Sequence, residues 1–540
     1  MTFTRSFPVV LFASLTFALA VQLNAIPSAG PTLSAGTGGQ AAAALQKPSF
    51  TLPVVYGTGG YSPSSMAVGD VNGDGKLDLV VMNECTDSRC FNGSGTVGVL
   101  LGKGDGTLQP AVSYSSGGLY PLAVTLGDVN GDGKLDLVVI NQCESDCSAL
   151  GSIGVLLGDG DGTFQPAVEY SSGGSHPLSV ALGDANGDGK PDLLVANNEC
   201  AVAGCNGKGT VGVLLGNGDG TFRMAVTYDS GGLFAGSIAV GDVNRDSKLD
   251  LLVTSGCTSL NPSCTSGVVG VLLGNGDGTF QTAVTYITGG QTAGSLALAD
   301  VNADRRLDLL VSTCPLGCVT GVVEVLLGNG DGTFQPAVSY GSGGVSNDQV
   351  PFFSFAVGDL NGDRKLDLLV LLHCGPTSCG DSRVAVLLGN GDGTFQTAVP
   401  YSSGQWEPSA LAVGDLNGDG KLDMLVGNSS GGHNPNVAVR LNTLQLATKT
   451  ALTSTLNPSH LNQSVRLTAR ISGLYAGTTT GAVMFKQGLK VLGTATVRGG
   501  KAALSHTFTK TGTFSITAIY AGDSNSKKST SAVLKQVVTP

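Results

Sequence analysis

DVNGDGKLDLVVINQC, residues 128–143, decides the architecture of this chain. Its first nine residues recur seven times. They read DVNGDGKLD at Asp70–Asp78 and Asp128–Asp136, DANGDGKPD at Asp184–Asp192, DVNRDSKLD at Asp242–Asp250, DVNADRRLD at Asp300–Asp308, DLNGDRKLD at Asp359–Asp367 and DLNGDGKLD at Asp415–Asp423. The first residues lie 58, 56, 58, 58, 59 and 56 positions apart. So even a period means one supersecondary unit stacked many times.

Working outward from the second copy, PLAVTLGD (Pro121–Asp128) enters the acidic nonapeptide and LDLVVIN (Leu135–Asn141) leaves it. A Cys-bearing connector follows, then SIGVLLG, the turn DGDGT, FQPAVEY and SSGG. That is four short runs of β-branched and aliphatic residues broken by Gly, Asp and Asn turns. Turns such as GNGDGT suit tight hairpins, because Gly and Asp tolerate positive φ. Four antiparallel strands per repeat make a propeller blade. The ends of the array complement one another. SFTLPVVYGTGG (Ser49–Gly60) reads as a fourth strand without its first three, and NVAVRLN (Asn436–Asn442) as a third strand without its fourth. Pairing them would close a seven-bladed ring and protect its edges. A parallel β-helix is the rival, although its rungs are usually shorter and it needs no such complementarity.

The expected organisation is a signal peptide over 1–25, a flexible linker over 26–47, the propeller over 48–442 and an immunoglobulin-like β-sandwich over 447–540. The fold class is all-β. Arg5 precedes an apolar run from Phe7 to Val21 that ends in small residues, as in an export signal. Cleavage is expected after Ala20 or Ala25, and an uncleaved anchor is the alternative. Residues 26–47 are rich in Gly, Ala, Ser and Pro. From Ala447 the acidic repeat stops. SVRLTARISG, GAVMFKQG, KVLGTATVRGG, KAALSHTFTK and GTFSITAIYAGD then alternate apolar and polar residues at sandwich spacing. No other segment is long and apolar enough to span a membrane.

The net charge is −11, and three Asp in each of seven nonapeptides account for 21 of the 40 acidic residues. An acidic chain without basic patches is a poor nucleic-acid binder, so no nucleic-acid partner is expected. The 12 Cys form six local pairs: Cys85/Cys90, Cys143/Cys147, Cys200/Cys205, Cys257/Cys264, Cys314/Cys318 and Cys374/Cys379. They read as short disulfides made in an oxidising compartment. Zinc is the alternative, but the gaps vary and His is scarce. A secreted or cell-surface monomer is expected.

Each nonapeptide is also an oxygen-rich loop. Side chains at positions 1, 3, 5 and 9 and the carbonyl of position 7 would wrap one cation. Ca²⁺, which takes six to eight oxygens, fits better than Mg²⁺. The candidate ligands are Asp70, Asn72, Asp74, Lys76 and Asp78; Asp128, Asn130, Asp132, Lys134 and Asp136; Asp184, Asn186, Asp188, Lys190 and Asp192; Asp242, Asn244, Asp246, Lys248 and Asp250; Asp300, Asn302, Asp304, Arg306 and Asp308; Asp359, Asn361, Asp363, Lys365 and Asp367; and Asp415, Asn417, Asp419, Lys421 and Asp423. That makes up to seven calcium sites. A metal-free Asx-turn is the alternative. Position 6 is Gly75, Gly133, Gly189 and Gly420 in four copies but Ser247, Arg305 and Arg364 in three. Weaker binding is expected at those three, above all at the fifth, where Arg305 and Arg306 add positive charge.

These residues resemble the FG-GAP or VCBS repeats of integrin α-subunit heads and many secreted bacterial proteins. The likeness covers about 48–442. It implies a seven-bladed propeller with calcium between the first and second strands of each blade. The tail resembles bacterial Ig-like domains. The family holds adhesion and ligand-binding proteins and some enzymes, so the resemblance leaves function open.

In a meander the acidic loops and GNGDGT turns share one face, and the Cys connectors and SSGG segments the other. The second face varies, which suits recognition on a rigid scaffold. Tyr61, Tyr120, His176 and Phe234 follow the Gly pairs, Trp406 lies in the seventh connector, and Phe352 and Phe353 in the longest. They would stack on a glycan or grip a protein, or merely cover blade edges. No nucleophile elbow, HExxH or phosphate loop is present. The expected function is adhesion or ligand binding, and the alternative is a polysaccharide-active lyase or hydrolase. No catalytic residue is assigned.

Overall fold

The computed structural model describes residues 46–540 apart from 88–92, 144–150, 201–206, 259–265, 315–320, 343–353, 373–382, 405–407, 430–434, 474–479 and 524. The export signal, most of the linker, Trp406, Phe352 and Phe353 therefore lie outside the described residues. Every regular element described is a strand.

The second nonapeptide shows how a blade is made. Two sixteen-residue strands, Val112–Gly127 and Val226–Gly241, each run from the outer edge of one blade to the inner edge of the next. SSGG and its fourth-blade counterpart, expected as connectors, thus lie inside continuous strands at these two joints. Strand Asp136–Cys143 pairs antiparallel with the second half of Val112–Gly127 and with Ser152–Leu156, which pairs with Val168–Ser171. Strand Asp136–Cys143 reads as a near-continuous apolar run because it is covered on both faces: Leu137, Val138, Val139 and Ile140 are fully buried.

Counting each sixteen-residue strand in both of its blades, the sheets resolve into seven four-stranded units. The first strands touch in a closed cycle. It runs from Tyr61–Gly69 through Val112–Gly127, Gly174–Gly183, Val226–Gly241, Thr292–Ala299, Phe355–Gly358 and Pro408–Gly414 back to Tyr61–Gly69. The complementary ends meet as the sequence requires. Val54–Gly57 adds to Asn436–Arg440 as the outer strand of the last blade, with Tyr56 opposite Val437. This is a closed propeller and not a β-helix.

The core lies between blades. One layer joins Val138, Ile140, Ile153 and Val155 of the second blade to Val180, Leu193, Val195 and Leu214 of the third. An aromatic pair staples six of the seven joints at the rim; at the joint from the closing blade to the first, Leu108 stands where the other copies have Phe, in one cluster with Tyr56. Tyr114 meets Phe164 edge-to-face with centroids 5.5 Å apart, and Tyr170–Phe222, Tyr228–Phe280, Tyr286–Phe334 and Tyr340–Phe395 repeat the contact. At the joint into the closing blade, Phe50 from the N-terminal segment meets Tyr401 at 5.3 Å. The N-terminal segment thus supplies both the missing strand and the missing aromatic. Such pairs contribute about 0.5–1.5 kcal/mol each beyond area burial.

The tail is a sandwich. Lys449–Ser454, Ser464–Ser472 and Lys501–Thr507 form one sheet, and Gly512–Tyr520 with Ala482–Gln487, Lys490–Thr496 and Leu534–Thr539 forms most of the other. Between them lie Val465, Leu467, Val483, Phe485, Ile516 and Tyr520. Alternation along Ser464–Ser472 matches the expected period of two.

Candidate functional site: the acidic loops and the opposite rim

Within each nonapeptide the carboxylates first serve the backbone. Asp128 at position 1 accepts from the amides of Gly131, Asp132 and Gly133 at 2.7, 3.1 and 2.8 Å. Asn130 Oδ1 at position 3 accepts from Asp132 N, and Asp132 Oδ1 at position 5 from Lys134 N. Most of these bonds recur in the other copies, for instance around Asp70, Asp184 and Asp359. They fold a nine-residue loop into nested Asx turns.

Position 9 has a different job. Asp136 is fully buried, and its two oxygens take amide protons from Val129 and Gly158 at 2.8 Å each. Asp78, Asp192, Asp250, Asp308, Asp367 and Asp423 do the same. The carboxylate ties the start of its own loop to the end of the third strand. Burial pushes these acids above the ordinary carboxylate range, to about 7 for Asp367 and Asp423, against the pull of the two amides. The sequence reading assigned position 9 to the cation alone and missed this staple.

Positions 4 and 6 are left-handed in every copy. Gly133 has φ +81°, and Ser247, Arg305 and Arg364 are held at +66°. Gly occupies both positions in the first three loops and the last, whereas Arg245 and Ala303 bring a second side chain into that region in the fourth and fifth. A side chain there costs free energy that glycine avoids.

The position 7 cation folds back on position 5. Lys76 Nζ lies 2.9 Å from Asp74 Oδ2, and Lys134–Asp132, Lys248–Asp246, Arg306–Asp304 and Lys421–Asp419 repeat the pair. The Lys76 ammonium holds Asp74 below the usual range. The donor set is otherwise all oxygen, which fits a hard cation. In the sixth loop Asp363 Oδ2 is buried with no hydrogen-bond partner, an acceptor that an ion would satisfy. Among the described residues no three carboxylate, imidazole or thiol groups stand close enough together to hold a metal. In five of the seven loops the position 7 cation, together with the backbone amides, engages these carboxylates.

The companion turn reads GxGDGT. Asp161 Oδ1 accepts from Thr163 N and Oγ1 at 3.0 and 2.5 Å, and these bonds hold its pKa down. Equivalent bonds form at Asp105, Asp219, Asp277, Asp331 and Asp392.

On the opposite rim, Tyr120, His176 and Phe234 occupy one equivalent position and share a left-handed backbone, with φ +50°, +51° and +58°. The first-blade equivalent is Ser62 at +52°, one residue beyond Tyr61, so Tyr61 stands out of register with the others. Each of these residues sits just before a register shift in the first strand of its blade. Tyr120 N donates to Gly93 O and Phe234 N to Gly207 O. The two rings lie against those glycines, where a Cβ would meet them at 2.6 and 2.7 Å. Tyr120 stays 37% exposed and His176 is exposed.

The cysteines expected as disulfides belong to the same rim. Cys85, Cys143 and Cys257 are disulfide-bonded, and their expected partners Cys90, Cys147 and Cys264 lie outside the described residues. The pairs Cys200/Cys205, Cys314/Cys318 and Cys374/Cys379 fall outside the described side chains. Cys205, Cys318, Cys374 and Cys379 lie outside the described residues, as do the side chains of Cys200 and Cys314 at the ends of their strands. Those three bridges stand on the sequence alone.

The FG-GAP-like repeat pattern matches residues 88–139, 145–195, 197–253, 262–311, 316–370 and 374–426, and the FG-GAP repeat pattern matches 62–99. These segments cover more than half of the chain. The chain belongs to the FG-GAP repeat family. Residues 452–539 match the bacterial Ig-like domain (group 3). No curated protein matches the sequence. Among solved structures, this FG-GAP chain is similar to an extracellular domain assigned to a hybrid two-component system of B. thetaiotaomicron, at 11% identity and TM-score 0.37, over 92% of this chain and 59% of that one. A second structure of that domain gives 10% and 0.36 over 90% and 59%, so the chain spans about three-fifths of their length. A β-fructofuranosidase from Schwanniomyces occidentalis, complexed with fructosyl-erythritol, matches at 8% identity and TM-score 0.30, over 91% and 93%. Likenesses this low carry no argument, and the assignment rests on the repeats.

Proposed function

We propose that this FG-GAP protein is an exported, calcium-stabilised scaffold that binds a glycan or protein ligand in adhesion or capture. The observation that carries the reading is the separation of roles between the two rims. One holds seven near-identical oxygen-rich loops, each tied into its blade by a buried Asp such as Asp136. The other carries side chains that differ at one repeated position: Ser62, Tyr120, His176 and Phe234. A residue held at positive φ is strained, and such strain gathers where a surface is shaped for a ligand. Aromatic faces there suit sugar stacking or a protein anchor.

Calcium would be held by the position 1, 3, 5 and 9 side chains and the position 7 carbonyl, and its chemistry is charge neutralisation of three carboxylates per loop. Disulfide chemistry at Cys85, Cys143 and Cys257 and the Ig-like module support an extracellular or cell-surface setting. Glycan and protein arrays probed with the full chain in calcium test the reading. Binding that is lost in the Tyr120→Ala/Phe234→Ala double variant is expected, and no retained ligand in calcium would overturn it.

A further inference from the structure

The last acidic loop is not in the same situation as the first. In the first blade the Lys76 and Asp74 side chains are 42% and 34% exposed, whereas in the seventh the Lys421 and Asp419 side chains are 2% and 21% exposed. The sequences are nearly the same, so the difference comes from the loop's neighbours. Asn525 of the Ig-like domain reaches the seventh loop, where its Nδ2 donates to the Asp419 carbonyl at 2.6 Å. The chain leaving the propeller pairs with Asn525 and its neighbours. Leu446 N donates to Asn525 O and Lys527 N to Leu446 O, both at 2.8 Å, and Gln445 Nε2 donates to Asp523 O at 3.0 Å. Asp523 is itself anchored, because it accepts from Tyr520 Oη, Thr480 Oγ1 and Asn525 N. Asn525 and Ser526 are 4% and 2% exposed.

We propose that the seventh loop is a latch for the Ig-like domain, with Lys421 as its built-in cation in place of a metal ion. The inference rests on the calcium reading above and narrows it at one loop. A buried ammonium 2.9 Å from the half-buried Asp419 neutralises that acid. A dication in the same loop would face a buried positive charge at close range, which a low-dielectric setting makes costly. In the open loops the same lysine can swing into solvent and yield its place. The short connection between the modules makes docking intramolecular, so a few specific bonds suffice to hold it. Ion entry at the seventh loop and displacement of Lys421 are then linked, and each must bias the other.

The test uses the full chain and small-angle scattering, in chelator and in millimolar calcium, with calcium stoichiometry measured in parallel. Lys421→Gln is expected to raise the radius of gyration in chelator. Added calcium should restore the wild-type value and bind with one more ion per chain than wild type takes. Lys76→Gln, at the exposed copy, should leave the radius unchanged. Asn525→Ala, which leaves every propeller residue in place, should shift the radius in the same direction as Lys421→Gln. A Lys421→Gln or Asn525→Ala chain as compact as wild type in chelator would overturn the latch, and failure of calcium to re-dock Lys421→Gln would overturn the counter-ion role. If wild type binds no calcium at any loop, the calcium reading fails by itself, and the radius of gyration still decides whether the latch exists.

Discussion

The first and seventh acidic loops share all but one residue of their nonapeptide, Val71 against Leu416, yet they differ in energetic setting. Around Lys76, positions 4 to 7 are exposed; around Lys421, the position 7 side chain is buried and Asn525 of the Ig-like domain bonds the Asp419 carbonyl two residues away. The motif fixes the turn, and the neighbour fixes what its charges contribute. An exposed pair contributes little because water screens it and its side chains lose entropy on pairing. A sealed pair contributes little as a unit, but losing either partner is expensive.

Position 9 is where the two loops agree, and breaking it should have the largest effect. Asp78→Ala strands two buried amides, so urea unfolding should show a loss on the order of 3–5 kcal/mol. Asp423→Ala should match it in the covered loop. A small effect at either would mean that the staple is not what joins loop to blade. Position 7 is where they differ. Lys421→Met should cost roughly 3 kcal/mol, whereas Lys76→Met should leave stability nearly unchanged, both measured in chelator. Equal losses would erase the contrast.

Burial sets a pH dependence on the other rim. Burial raises Glu84 to about 7 from an ordinary value near 4.5. The native state therefore keeps this proton where the unfolded chain has lost it. Its contribution is fully present below pH 4.5 and is lost as pH rises through about 7. Glu84→Gln should flatten the fall in stability across that window by about 2 kcal/mol, seen in melting curves at pH 5 and pH 8. The smallest effect sharpens the comparison among open loops. Ser247→Gly should stabilise the fourth loop by about 0.5–1 kcal/mol, while Gly133→Ser should cost about as much in the second. No difference would mean that position 6 carries no strain.

The ring was legible because its signals are local and repeated. A constant period, an acidic turn and two complementary ends leave one closed arrangement, and Val54–Gly57 pairs where Asn436–Arg440 lacks a neighbour. The nested turns at Asp128 and Asp132 were equally readable from residue type. The buried role of Asp136 was not, because a carboxylate nine residues along looks the same whether it faces an ion or the amide of Gly158. The Phe and Tyr of staples such as Tyr170–Phe222 are visible in segments such as FQPAVEY, but each ring's partner lies in a neighbouring repeat, and spacing alone does not show which rings meet. Contact between Asn525 and Asp419 had no sequence signal, since it joins residues 106 positions apart in unlike modules. The left-handed site of Tyr120 and Phe234 was placed only approximately, because one bulge moves the register past Tyr61.

Scanning calorimetry of the full chain, in millimolar calcium and then in excess chelator, tests the central claim most directly. An ion bound only by the folded loops must stabilise them. The propeller transition is therefore expected to fall by several degrees in chelator and to recover when calcium is restored. A propeller transition at the same temperature in both buffers would show that the loops hold their shape with amides and lysines alone, and would contradict the calcium assignment.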